Sequence, residues 1–129
     1  MAKSFRDLKV WQLSMDLTIL VYALTSEFPK HEVYGLSSQM RRAAVSIASN
    51  LAEGSARNSK KDFRQFVAIG RGSNSELQTQ LILASRLGYA TVEKIDEAET
   101  LCHEVARMLS GLSRFLELKS TAPPLTTKN

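Results

Sequence analysis

Apolar residues recur every three or four positions through most of the chain, and polar stretches bearing proline or glycine cut that pattern into four segments. This is the period of amphipathic α-helices. Ser4-Phe-Arg-Asp7 has the spacing of a capping box, and Pro29 lacks an N–H donor, so a first helix is predicted from Ser4 to about Ser26. Its core face is Val10, Leu13, Leu17, Leu20, Val21 and Leu24. The second helix is predicted from Leu36 to Glu53, with Leu36, Met40, Ala43, Ala44, Ile47 and Leu51 inward and Gly54 taking a left-handed position just past its end. Ser59-Lys-Lys-Asp62 repeats the capping pattern and opens a third helix that reaches Leu87 and stops at Gly88, roughly 40 Å at 1.5 Å per residue. Its inner face is Phe63, Phe66, Val67, Gly70, Asn74, Leu77, Leu81 and Ala84, while Gly70 and Gly72 point to close backbone approach or a bend. Thr91 caps a fourth helix running to about Leu118, whose apolar face includes Val92, Ile95, Ala98, Cys102, Val105, Leu109 and Leu116.

The first helix carries more apolar surface than a bundle helix needs. Leu8, Trp11, Met15, Ile19 and Tyr22 recur at helical spacing on nearly the opposite side from its core face. Either the helix is covered on both sides by its own chain, or these residues form a subunit interface. The second reading is favoured, because each helix of a four-helix bundle keeps one side wet and aromatic residues anchor interfaces. On the second helix a narrow polar stripe of Arg42, Ser46, Ser49, Asn50 and Glu53 faces away from the core and reads as structural hydrogen bonding.

Composition narrows the function classes. The chain of 129 residues suits one domain, with the bundle at 1–119 and a polar, proline-bearing segment at 120–129 expected to be a disordered tail. A single cysteine, Cys102, lies on a core face and fits a buried thiol in a reducing, cytoplasmic setting. The most apolar run, Leu17 to Leu24, is too short to cross a bilayer, and no membrane partner is expected. His31 and His103 lie in different elements without metal-ligand spacing, so neither a metal nor another cofactor is expected. Gly70-Arg-Gly-Ser73 is no phosphate loop, since no strand precedes it and the lysine is missing. Glu53 with Arg42 and Asn50 lacks a base or metal beside it, so no catalytic residue is assigned.

The net charge of +4 is modest, but its distribution is not. Between residues 37 and 72, Arg41, Arg42, Arg57, Lys60, Lys61, Arg64 and Arg71 face only Glu53 and Asp62 in opposition, a local excess larger than that of the whole chain. Such a surface can hold phosphates by counterion release. It can equally be a solvated face, or be paired to acids of the fourth helix or a neighbouring subunit.

Four segments carry a resemblance: Phe5-Arg-Asp-Leu-Lys-Val-Trp-Gln12, Gly35-Leu-Ser-Ser-Gln-Met-Arg-Arg-Ala-Ala-Val-Ser46, Ser49-Asn-Leu-Ala-Glu-Gly54 and Gly72-Ser-Asn-Ser-Glu-Leu77. In order and spacing over residues 5–117 the chain resembles the four-helix-bundle family associated with intervening sequences of bacterial 23S ribosomal RNA genes. It is more remotely similar to the accessory variability proteins of diversity-generating retroelements. The resemblance implies an all-α, antiparallel up-and-down bundle assembled as a homopentamer, and it brings no catalytic residues. Gly70-Arg-Gly-Ser73 departs from the family's Ala-x-Gly-Ser pattern.

These readings combine into an expectation of a non-enzymatic oligomer that binds itself through the second face of the first helix. It would bind RNA or a nucleic-acid-handling protein through Arg41, Arg57, Lys60, Lys61, Arg64 and Arg71. The alternative is a protein-interaction scaffold without nucleic-acid binding; an RNA-processing enzyme using Glu53 ranks below both.

Overall fold

The computed structural model describes residues 4–121, which are all-α: four helices, and no strand among the described residues. They are α1 (Lys9–Thr25), α2 (Leu36–Ser55), α3 (Lys60–Arg86) and α4 (Val92–Thr121). Helix α2 packs between α1 and α3, and α4 closes the bundle by contacting both α3 and α1. The predicted core faces meet in the middle. Leu17, Val21, Met40, Ile47, Leu51, Val67, Leu77, Leu81, Val105 and Leu109 are fully buried, and burial of each such side chain contributes about 1.5–3 kcal/mol. Asn74 enters this core with its amide nitrogen donating to the Cys102 carbonyl at 2.9 Å, which ties α3 to α4, and with its Oδ1 buried and unpartnered among the described residues.

Local chemistry revises several boundaries. Ser4 does cap, but it caps a single 3₁₀ turn, Phe5–Asp7, by accepting from the Arg6 N–H at 3.1 Å. Leu8 is then extended (φ −73°, ψ 121°), so α1 starts at Lys9 with no side-chain cap. Ser59 behaves as predicted, accepting from the Asp62 N–H at 3.0 Å, and Gly88 (φ 74°) ends α3 with the Tyr89 N–H bonded back to the Ala84 carbonyl. Thr91 accepts from the Lys94 N–H at 3.3 Å to start α4. That helix runs three residues past its expected end, through the first two positions of the expected tail; the remainder of the tail lies outside the described residues. Val92, placed on the core face by periodicity, is exposed in the first turn.

Gly54 is the main correction. It is not left-handed but lies inside α2, which continues to Ser55. A Cβ there would sit 2.7 Å from the Phe66 Cβ and 2.9 Å from the Phe63 ring, so glycine is present to admit α3. Gly70 is not required in this way, since a Cβ there would lie 3.9 Å from the Ile47 carbonyl, an ordinary contact, and Gly72 faces open space. α3 passes through both glycines as unbroken α-helix.

Candidate nucleic-acid interface

The charged end of the molecule is built by the turn joining α2 to α3. Helix α2 closes with the Ala56 and Arg57 N–H groups bonded back to the Glu53 and Gly54 carbonyls, and three residues later Ser59 caps α3. A turn this short and this bonded fixes where its cations project. Glu53, in the last turn of α2, and Arg57, two residues past its end, pair at 3.3 Å across four positions. The Arg57 guanidinium also lies 4.7 Å above the Phe66 ring. Lys60 and Lys61 are exposed and Arg64 is half-buried. Beside them, Phe5, Asp7, Asn58 and Lys60 line a cleft of about 270 Å³ between the N-terminal turn and the start of α3. A positive helix end flanked by lysines favours anions.

The six basic residues singled out in the sequence do not form one patch. Arg57, Lys60, Lys61 and Arg64 cluster at the turn, and Arg71 lies exposed further along the Lys60–Arg64 side of α3. Arg41 is elsewhere: it lies sixteen residues up α2 from Arg57, about 24 Å at 1.5 Å per residue. There its Nε donates to Thr25 Oγ1 at 2.8 Å and its guanidinium covers the Tyr22 ring at 4.7 Å, so it serves the α1–α2 contact. Lys60, Lys61, Arg64 and Arg71 make no ion pair among the described residues.

The stripe on α1 is graded. Leu8 and Trp11 are half-buried against the core, with Trp11 meeting the Phe5 ring edge-on at 5.1 Å. Met15, Ile19 and Tyr22 are 38%, 66% and 44% exposed. Between α1 and α2 an apolar groove of about 310 Å³ opens, lined by Trp11, Met15, Val45, Ala48 and Ala52.

The polar stripe on α2 is a hydrogen-bonded seam rather than a reactive cluster. The Ser46 and Ser73 hydroxyls meet at 2.8 Å, and Asn50 Nδ2 donates to the Ser46 carbonyl at 2.8 Å and to its Oγ at 3.0 Å. Arg42 stands outside this network, exposed. Cys102 is buried, and burial with Glu99 nearby pushes its thiol up to about 12, leaving it protonated near neutral pH. Among the described residues no group of three or more His, Cys, Asp or Glu could hold a metal ion, and no helix is long and apolar enough to cross a membrane.

Sequence reasoning missed a junction at the opposite end of the bundle. Glu32 accepts from the Leu36 N–H at 3.0 Å, capping α2 from outside, and from the Tyr89 hydroxyl at 2.7 Å. These bonds hold its carboxyl below the usual range, the backbone bond most, while the same contact raises the Tyr89 phenol. An acid just before a predicted helix start was a readable signal for the cap; the tie to Tyr89, 57 residues away, was not.

Comparison with known proteins agrees with this architecture. A family model described as 23S rRNA-intervening sequence protein matches residues 6–111. The chain is also similar to a solved structure from Bacteroides thetaiotaomicron VPI-5482, a protein of unknown function from the S23 ribosomal protein family. The TM-score is 0.74 at 21% identity, covering 81% of this chain and 98% of that one, which shows a shared fold. No curated protein matches. With the family model spanning most of the four helices, the chain belongs to the 23S rRNA-intervening sequence protein family.

Proposed function

We propose that the protein is a non-enzymatic, cytoplasmic homopentamer of up-and-down antiparallel bundles that binds RNA through the cations of the α2–α3 turn. The observation that carries the RNA reading is that Lys60, Lys61, Arg64 and Arg71 have no acidic partner among the described residues, so their charge is available to phosphates. Antiparallel order is supported by the pairings across one seam: Gly54 faces Phe63 and Phe66, whereas Ser46 faces Ser73. Assembly is supported by Met15, Ile19 and Tyr22 lying exposed beside an apolar groove, and the number five comes from the family resemblance. A non-enzymatic role fits a protonated Cys102 and a Glu53 already paired to Arg57.

The test is RNA binding measured over salt from about 50 to 200 mM, for wild type and for the Lys60→Ala/Lys61→Ala/Arg64→Ala variant. Each lost phosphate contact should reduce the single-strand salt slope by about 0.7, so the triple variant should lose about 2 units of slope together with affinity. RNA binding unchanged in that variant would remove the turn from the interface. No binding at the lowest salt would remove the RNA reading and leave a protein-interaction scaffold.

A further inference from the structure

Tyr34 is 96% exposed, the most exposed of the large apolar or aromatic side chains described. It is nevertheless not on a loose loop. The chain around it is closed by the Glu32 N–H to the Pro29 carbonyl, the Val33 N–H to the Lys30 carbonyl and the Gly35 N–H to the Glu32 carbonyl. The Glu32 carboxylate then clamps this turn to α2 and to Tyr89, passing so close to Gly35 that a Cβ there would lie 2.7 Å from Oε1. The fold therefore holds an aromatic ring in water on a braced support, where it contributes nothing to the core.

Tyr34 stands at the edge of a polar groove of about 440 Å³ that continues over α2 and α3 past Gln39, Arg42, Ser46, Ser73 and Glu76. That volume falls in the range of small-ligand sites, about 300–1,000 Å³. Arg42 has no ion pair or hydrogen bond among the described residues, in contrast to Arg41, Arg57 and Arg107, which are all engaged. The seam beneath adds hydroxyls. Ser46 and Ser73 share one hydrogen bond in which either oxygen can be the donor, so Ser73 offers the groove a lone pair, and its proton as well when Ser46 is the donor. Glu76 supplies an acceptor.

We propose that this groove binds an unpaired RNA nucleotide, with the base stacked on Tyr34, its phosphate on Arg42, and Ser73 and Glu76 available to the base edge or ribose hydroxyl. An open ring face, a guanidinium held in no ion pair among the described residues and a mixed donor and acceptor floor match a nucleotide taken out of a helix; a duplex keeps its base faces covered. Arg42 thus acquires a role beyond the structural stripe in which the sequence places it. The inference rests on the RNA reading above but on different residues, at a different place from the α2–α3 turn.

That separation makes it testable alone. Affinity is measured for a single-stranded RNA 12-mer and for its duplex, with wild type, Tyr34→Ala, Tyr34→Phe, Arg42→Ala and the triple variant of the turn. Tyr34→Ala should weaken single-strand binding on the order of 10-fold, the size of one lost base stack, with an unchanged salt slope and unchanged duplex affinity. Tyr34→Phe should bind as wild type, and Arg42→Ala should weaken the single strand and lower its slope by about 0.7. Folding is secured by the exposure of both side chains and checked by circular dichroism. If Tyr34→Ala binds single strands within twofold of wild type while the triple variant is weakened, the groove is overturned and the RNA reading stands. If neither RNA binds wild type, both are overturned. A change of native mass in Tyr34→Ala with intact RNA binding would assign the groove to contact between copies and overturn the nucleotide site.

Discussion

Helix α2 carries small residues on both flanks, and its two neighbours treat them oppositely. Toward α3, Gly54 receives Phe63 and Phe66 and the seam is closed around it, while the polar groove lies further along, over the bonded pair Ser46 and Ser73. Toward α1, Ala48 and Ala52 are the floor of an open apolar groove, crossed by one hydrogen bond from Thr18 Oγ1 to the Ala44 carbonyl at 3.2 Å and ended by Arg41 on Thr25. Small residues therefore mean close helix approach only where the partner brings bulk down onto them. Where it does not, they leave room for something from outside the chain.

The largest effect separating the two seams should be on assembly. Ile19→Glu places a charge on the exposed side of α1 next to the groove, where desolvating it against a second subunit is strongly unfavourable. In light scattering the proposed oligomer should be replaced by a particle near the 14.3 kDa of one chain, with secondary structure intact because Ile19 buries little in the single chain. An unchanged mass would show that the open seam is not where subunits meet.

The closed seam should respond in stability instead. Alanine normally improves a helix over glycine by about 1 kcal/mol. At Gly72, where nothing lies within 4 Å of the added carbon, that gain should appear in thermal or urea melts. At Gly54 the sign should reverse, with a loss of about 1–3 kcal/mol, because the Phe66 Cβ is fixed to its backbone and cannot rotate away, so α2 and α3 must separate. Equal gains at both positions would mean that the approach of these helices is not limited by Gly54.

This contrast also explains what was readable from the chain. The core faces of all four helices follow from periodicity because burial acts on each turn: Met40, Ile47 and Leu51, or Leu77 and Leu81, need only a helix and an inside. Ser59 and Gly88 were legible because caps and left-handed turns are made by neighbours in sequence. Gly54 was not, since a glycine that ends a helix and a glycine that admits another helix look alike until Phe63 and Phe66 are placed opposite. Ser4 kept its capping chemistry, but the extended Leu8 limited the capped segment to one turn. Arg41 joined the basic residues by charge density alone; only packing reveals that Thr25 and Tyr22 hold it at the other end of the bundle. Tyr34 passed unnoticed because an exposed aromatic gives no periodic signal.

A smaller effect should come from acid, and it should spare both seams, since the contacts described there are made by glycine, serine, threonine, asparagine, phenylalanine and an arginine, none of which is a carboxylate. A titrating contact lies at the N-terminus of α2, where Glu32 joins the Leu36 N–H to Tyr89. The folded protein holds the Glu32 carboxyl below its ordinary 4.5 through the Leu36 backbone bond first and the Tyr89 hydroxyl second. Unfolding releases both bonds, so the unfolded chain binds the proton more readily. The contribution is therefore fully present above the ordinary value and is lost as pH falls through the lowered one. Tyr89 gives the mirror image: its raised phenol contributes below the ordinary 10.0 and loses that contribution as pH rises through the folded value. Glu32→Gln isolates the acid limb, because its amide oxygen can still accept from Leu36 while nothing titrates. Melting temperatures from about pH 3 to 6 should fall less steeply for Glu32→Gln than for wild type across the carboxylate range. The slope remaining in the variant includes that of Glu104, which Arg107 holds low in the same way. Identical slopes would place the acid sensitivity outside this junction and leave Glu32 as a cap whose charge is immaterial.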